Sequence, residues 1–356
     1  MGDGNDGRVD DRGPAATIYA VAERAGVSTA TVSRALRNPE KVTPRTREIV
    51  LQAARELDYL PRAAAQALAG QRTHAIGLVL PHIAGPYYSE LLVGFEMAAS
   101  RLGFSVVITL ANPRSDSRAA VWGLATQVDG IAFMARSAAE DDLIAHLGRR
   151  RPVVTGARSR IPGHSAFFVE NRLAAQQLTE HLIGHGRRAI GFVGRRETGS
   201  DIGERHKGWA AALHAHGLPP GPTFEVDPRE EPGLEVADRL LAQHLDVDAL
   251  VCGNDELALA IMLRLQEHGL RVPEDVAITG WDDTRAARYI SPSLTTVRQP
   301  VSQLGELAAE RLVHLIRGHP VDVEDVTLPA HHVHRRSCGC DPTPPTTGST
   351  HSRSTS

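Results

Sequence analysis

The chain has 356 residues, 42% hydrophobic and 23% charged, enough apolar material for buried cores and too long for one compact unit, so two or three domains are expected. It holds no run of about eighteen apolar residues able to span a bilayer, and residues 1–14 lack the apolar stretch of a secretory signal, so a membrane protein or an exported one is not expected. The formal charge of −3 conceals an asymmetry, because residues 17–72 carry +4 while residues 73–356 carry −5, as suits a nucleic-acid reader fused to a body with another task. A charge of +4 over such a length is also compatible with ordinary surface. Cys252, Cys338 and Cys340 are too few for a disulfide framework, which agrees with a reducing cytoplasm.

Residues 1–16 and 341–356 have almost no apolar residues to offset the entropy of ordering, and both are expected to be disordered tails. From Thr17 the pattern is helical. Ile18, Val21, Ala22 and Ala25 form one apolar stripe, with Thr17 as N-cap and Gly26 as the stop. Ser28 caps a second helix that turns Val32 and Leu36 inward and leaves Thr29, Ala30, Ser33, Arg34 and Arg37 outside. So short a connection between helices reads as a helix-turn-helix. A third helix starts at Thr43-Pro44, where proline's missing N–H costs nothing, and is expected to bury Ile49, Ala53 and Leu57.

The string VAERAGVSTATVSR, the Thr43-Pro44 start, and DYLP followed by AQALAG stand in one continuous run over residues 17–70. This run resembles the DNA-binding head of the lactose-repressor (LacI-type) family of bacterial transcription regulators. The resemblance implies that the second helix enters the major groove, where outward side chains meet base edges. Thr29, Ala30 and Arg34 are the candidate base readers: a guanidinium forks onto guanine, and an alanine methyl meets a thymine methyl. Thr17, Ser28, Thr31 and Ser33 are candidates for phosphates, whose contacts set register. Taken alone, Arg34 would read as a solvated helix residue. Residues 62–69 (RAAAQALA) are too short for an isolated helix and should fray without a partner. The resemblance implies that this hinge becomes helical on the operator, pairs with its twin, and wedges Leu68 into the minor groove. A plain linker with one exposed leucine is the alternative.

Beyond His74, short apolar runs (residues 74–80, 104–110, 130–135, 152–155, 189–193, 249–252 and 276–279) alternate with helical segments. Such alternation gives parallel sheets flanked by helices, with ligands beyond the carboxyl ends of the strands. Pro86-Tyr87-Tyr88, Arg205, Asn254-Asp255 and Asp282-Asp283 follow those runs. Aromatic faces, amides, a guanidinium and carboxylates suit a polyhydroxylated ligand, whose hydroxyls both donate and accept. The strings GNDELALA, ERHKGW and ITGWDDTRAARYISPSLTTVRQP resemble the effector-binding core of the same family, itself similar to periplasmic sugar-binding proteins. Arg205 and Asp282 are the strongest positions carried over, then Asn254 and Tyr87, with Tyr88 beside them. Three positions depart from the family's habit: Pro228, Glu170-Asn171, and Asp201, whose extra carboxylate hints at a polar or partly cationic effector unless it faces solvent.

Other chemistries lack their parts. Residues 184–189 match a GxGxxA fingerprint but close a helix before a strand, the reverse of the order that phosphate binding needs. His181 and His185, the HHVH run at residues 331–334, and Cys338-Gly-Cys340 offer no complete ligand set by themselves, so surface histidines are expected and no metal. No nucleotide loop or nucleophile elbow is present, and neither a cofactor nor an enzyme is expected. The fold class expected is α/β: a helix-turn-helix head over residues 17–60, a hinge over 61–72, and a two-lobed, periplasmic-binding-protein-like body over 73–340. The resemblance divides this body into about 72–170 plus 299–326 and 171–298 plus 327–340. The expectation is a nucleoid-associated homodimeric regulator, most simply a repressor, that binds a pseudo-palindromic operator and answers to a carbohydrate-like effector. A sugar-binding protein or an α/β enzyme without a DNA role explains the body alone.

Overall fold

The computed structural model describes residues 17–37, 41–57, 59, 72–111, 116–134, 140–156, 160–197, 199–243, 246–319 and 323–340. The terminal tails and the hinge with Leu68 lie outside the described residues. The chain divides into two compact units, separated between Thr73 and His74.

In the first unit, helices α1 (Ile18–Ala25), α2 (Thr29–Arg37) and α3 (Pro44–Glu56) enclose a small core. Each start is capped by a hydroxyl that accepts from the first turn: Thr17 from the amide of Ala20 at 3.3 Å, Ser28 from Thr31 at 3.2 Å, and Thr43 from Thr46 at 3.2 Å. Gly26 ends α1 in the left-handed region at φ 66°, a conformation glycine adopts without a Cβ penalty. Val21, Ala22, Val32, Ala35, Val50, Ala53 and Ala54 are buried. Two sequence expectations fail in detail. Ile49 is 44% exposed, and Leu36 and Leu57 are only partly buried. A line of residues spaced by four drifts about 40° per step around a 3.6-residue helix, so the buried face of α3 follows Val50, Ala53 and Ala54 instead.

The second unit holds two lobes of parallel sheet. The first lobe contains β1 (Ala75–Leu80), α4 (Pro86–Arg101), β2 (Ser105–Leu110), α5 (Ser117–Ala125), β3 (Gly130–Met134), α6 (Asp141–Gly148), β4 (Val153–Gly156) and β5 (Ala166–Val169). The second contains α7 (Arg172–Gly184), β6 (Ile190–Val193), α8 (Asp201–Ala215), β7 (Thr223–Phe224), α9 (Glu230–Gln243), β8 (Ala249–Cys252), α10 (Asp255–Glu267), β9 (Ala277–Thr279) and α11 (Arg285–Tyr289). After β10 (Thr296–Arg298) the chain returns to the first lobe through α12 (Val301–Ile316) and β11 (Val326–Leu328). It crosses once more to β12 (His331–Val333) and a 3-10 turn, Arg336–Cys338.

The sheet orders are β11-β5-β4-β3-β1-β2 and β7-β6-β8-β9, and β10 pairs with β12 antiparallel. Within both larger sheets every pairing is parallel, as covered strands require: β3, β4, β6 and β8 are buried along their whole length. Helices α4 and α12 cover one face of the first sheet, and α5 and α6 the other. In the second lobe α7 and α8 cover one face, and α9 and α10 the other. Strand β11 keeps Leu328 in the first sheet, so the last crossing lies two residues beyond the expected position 326. Strands β5, β7, β10, β11 and β12 have two to four residues each and stand outside the apolar runs read from the sequence.

Candidate effector cleft and DNA-reading helix

The site of the body is assembled from strand ends. Tyr87 and Tyr88 open α4 after β1, and their rings meet edge to face at 5.2 Å between centroids, with His82 edge-on to Tyr88 at 4.4 Å. Asp201 and Arg205 lie in the first turns of α8 after β6, and Asp282 follows β9. These side chains from both lobes share one electrostatic environment. Burial raises the Tyr87 hydroxyl above its ordinary range, and the charges of Asp201 and Asp282 raise it further; Tyr88 is raised by the same causes. The Tyr87 hydroxyl is shielded from solvent and has no hydrogen-bond partner among the described residues. A buried polar atom of this kind awaits a partner.

Arg205 is 5% exposed and held from three sides. Its Nε donates to Oδ1 of Asn171 at 2.7 Å, one terminal nitrogen donates to the Gly253 carbonyl at 2.5 Å, and the guanidinium stacks on Trp281 at 4.4 Å. Asp282 accepts from Nε2 of Gln299 at 2.6 Å. Burial pushes its carboxyl up to about 7 against the opposing pull of Arg205, and Asp255 adds to the rise. Burial raises the Asp201 carboxyl too, again opposed by Arg205. The backbone turns sharply here: Asp283 has φ 52°, in the left-handed region that aspartate tolerates, and Asp282 has φ 111°, a value a non-glycine residue adopts only where its surroundings enforce it. The enforcing contacts are the Asp282 amide bonded to the Val297 carbonyl at 2.8 Å and Asp283 clamped by Arg288, Arg298 and Arg335.

Not every candidate faces the cleft with its polar atoms unused. Asn254 caps α10, accepting from the Leu257 amide at 3.1 Å and donating to the Pro228 carbonyl at 3.1 Å. Asp255 is wholly buried and accepts from the Thr296 hydroxyl at 2.6 Å and the Thr284 amide at 2.7 Å. The family departures at Glu170 and Asn171 have local tasks: Glu170 accepts from the amides of Leu173 and Ala174, capping α7, and Asn171 fixes Arg205. Asp201 is the first residue of α8 rather than part of the preceding loop; it is half-buried, and its charge bears on Tyr87 and Arg205. Gln299 and Trp281 were not singled out in the sequence. Their roles depend on partners brought by β9 and by the crossing before α12, and no local pattern signals them.

In the head, Ala30 and Arg34 are exposed, while Thr29, Thr31 and Ser33 are half-buried. Among the described residues Arg34 makes no ion pair. Exposed Thr17 and Ser28 spend acceptor capacity on their caps. The Thr17 hydroxyl retains a proton, which suits a phosphate oxygen.

One arrangement goes beyond what the sequence offered. His181 in the last turn of α7 and His185 at its C-cap meet Cys338 and Cys340 of the carboxyl-terminal turn, with their four donor atoms within 4.8 Å of one another. Burial, and then the neighbouring His334, His185 and His332, lower His181 to about 4, so its ring is neutral at physiological pH. Each pair thus gains, across the fold, two nitrogen or sulfur donors that it lacks in the sequence.

Comparison with known proteins bears on both units. Residues 17–62 match the model for bacterial regulatory proteins of the lacI family, and residues 179–338 match that for a periplasmic binding protein-like domain. Catabolite control protein A of Priestia megaterium is 33% identical over 322 residues, covering 88% of this chain and 96% of the relative. The HTH-type transcriptional repressor PurR of Pasteurella multocida is 33% identical over 308 residues, covering 85% and 92%. Among solved structures, the lac repressor dimer bound to operator and the anti-inducer ONPF superposes with a TM-score of 0.80 at 29% identity, covering 91% of this chain and 99% of that one. The complex of the transcriptional regulator CelR with cellobiose superposes at 0.69 and 30% identity, covering 90% and 99%. The chain therefore belongs to the lacI family of bacterial regulatory proteins, and it is an effector-responsive, DNA-binding transcriptional regulator rather than an enzyme.

Proposed function

We propose that the protein is a homodimeric repressor whose grip on a pseudo-palindromic operator is set by a carbohydrate-class effector bound between the lobes of its body. The observation that carries this reading is the convergence of Tyr87 and Tyr88 from one lobe on Asp201, Arg205 and Asp282 from the other. Sugar hydroxyls can donate to the carboxylates, accept from the guanidinium and pair with the unpartnered Tyr87 hydroxyl, while a ring face rests on the tyrosines. Asn254 has the smaller part, shaping the wall through its cap. Cellobiose in CelR and ribose in a LacI-family regulator from Enterococcus faecium support this class of ligand.

The head spans residues 17–60, with Thr29, Ala30 and Arg34 reading bases and Thr17, Ser28, Thr31 and Ser33 gripping phosphates. The hinge, residues 61–72, carries Leu68 to the minor groove, and the protein works in the cytoplasm on the nucleoid. An effector shifts operator affinity only by its preference for one arrangement of the lobes. Among the described residues no helix is long and apolar enough to cross a membrane.

The test is a thermal-shift screen of mono- and disaccharides and their phosphates against wild type and Asp282→Ala, followed by band shifts with and without the hit. A sugar at a hundredfold over its Kd should stabilise wild type by about 2.7 kcal/mol and lose most of that effect in the variant. A ligand that stabilises both equally would exclude Asp282 from its site. Stabilisation by nucleobases or amino acids alone would reassign the effector class.

A further inference from the structure

We propose that His181, His185, Cys338 and Cys340 form a tetrahedral zinc site that fastens the carboxyl-terminal segment of the body to helix α7. Nε2 of His181 lies 3.4 Å from the sulfur of Cys338 and 3.4 Å from that of Cys340, and Nε2 of His185 lies 3.2 Å from the sulfur of Cys340. Zinc bonds of about 2.3 Å to sulfur and about 2.0–2.1 Å to nitrogen, set at the tetrahedral angle, place neighbouring donors about 3.5 Å apart. Three of the six donor pairs are therefore spaced as one ion would hold them, and the other three lie within 4.8 Å, a distance that side-chain rotation closes. Two thiolates and two imidazoles are a borderline-soft set that selects zinc over magnesium or calcium, and four protein ligands leave no open position, which is the form of a structural site.

The local structure of both segments serves this convergence. His181 and His185 stand one helical turn apart, so both rings reach the same side of α7, and their centroids are 4.6 Å apart. Gly339 separates the cysteines in a left-handed turn at φ 100°, which bends the chain tightly enough for both sulfurs to reach His181. Cys338 is buried, and the Thr295 hydroxyl lies 3.0 Å from its sulfur, where it can donate to a thiolate. His334 packs on the His181 ring at 4.0 Å, and Nε2 of His332 reaches the Ala174 carbonyl of α7 at 2.8 Å, so β12 is seated on the same helix. The outer ligands are more open: His185 is exposed and Cys340 half-buried, which leaves a route for the ion. Binding is proton exchange without redox chemistry. Two thiols release two protons to solvent, two neutral imidazoles give their lone pairs, and the site becomes electrically neutral.

The consequence is structural. The segment after β11 is the last of the three strand crossings between the lobes, and the ion would anchor its end on the second lobe, independently of any effector in the cleft. The experiment uses the full chain, purified under reducing conditions without chelator. Elemental analysis should find about one zinc per chain, and cobalt added to the metal-free protein should give the visible bands of a tetrahedral, thiolate-ligated ion. Removing zinc should lower the Tm, and adding it back should restore it. Cys340→Ser and His185→Gln alter the two more accessible ligands; both should fold, as judged by circular dichroism, yet lose stoichiometric zinc and the cobalt spectrum. Three results would each overturn the proposal: wild type that takes up neither ion, variants that hold zinc as wild type does, or a Cys338–Cys340 disulfide in the protein as isolated from reducing cytoplasm.

Discussion

Asp282 and Asp283 are adjacent in sequence and opposite in electrostatic fate. Burial drives both upward, but at Asp283 the guanidinium groups of Arg335 and Arg298 outweigh it and hold the carboxyl below its usual range. Asp282 has Gln299 and the more distant Arg205, and it titrates near 7. Because its folded value lies above the unfolded one, the stability it contributes is present at acid pH and is lost as pH rises through about 7. Effector hydroxyls that donate to Asp282 favour its charged form, so affinity should rise between pH 6 and pH 8, by up to about tenfold per pH unit below its pKa, with proton release on binding. Calorimetry in two buffers of different ionisation enthalpy measures that release. An unchanged proton count in Asp282→Asn would show that another group titrates. Tyr87, Tyr88, Arg205 and Asp282 were singled out from their places beyond apolar runs, and Asp201 as a departure from the family's habit. The division of labour was not, because Asn254 as a cap and Asp283 as a clamp depend on neighbours distant in sequence.

Among elements, α2 and the α4–α12 pair differ in how much their own residues decide. Helix α2 is bounded by a hydroxyl cap, and its outward Arg34 follows from helical periodicity alone. Arg34→Ala should relax operator preference at one base pair, a loss of about 1–3 kcal/mol in discrimination, with phosphate-driven affinity largely kept. Selection of operators from a random library measures it, and an unaltered consensus would remove Arg34 from the base readers. Helices α4 and α12 pack backbone to backbone through Gly94 and Gly305, from opposite ends of the body's sequence. A Cβ on Gly94 would come within 2.0 Å of the Ser302 carbonyl oxygen, and one on Gly305 within 2.3 Å of that of Leu91. Alanine is favoured over glycine in a helix by about 1 kcal/mol, yet Gly94→Ala should destabilise the body, because the helices must separate before the side chain fits. Urea denaturation gives the sign, and a stabilised variant would mean that α4 shifts freely.

For the whole molecule, the basic head and acidic body predict DNA binding that weakens steeply with salt. Each phosphate neutralised should add about 0.9 to the slope of log affinity against log salt, as band shifts from low to physiological ionic strength would measure. A flat response would mean that the positive charge of residues 17–72 does not face DNA. The sequence by itself determined the order of the described parts: capped helices, then alternating βα units whose strand ends carry polar residues. Those are local properties, set by periodicity, caps and turn residues within a few positions of one another. Only the tertiary structure decided which distant segments meet. It turned the buried face of α3 from Ile49 to Val50, added five short strands outside the apolar runs, and brought His181 and His185 to Cys338 and Cys340. The physical reason is the double crossing back of the chain after β10, which brings the carboxyl-terminal segment against α7 about 150 residues away, a proximity created by packing and invisible to any local pattern.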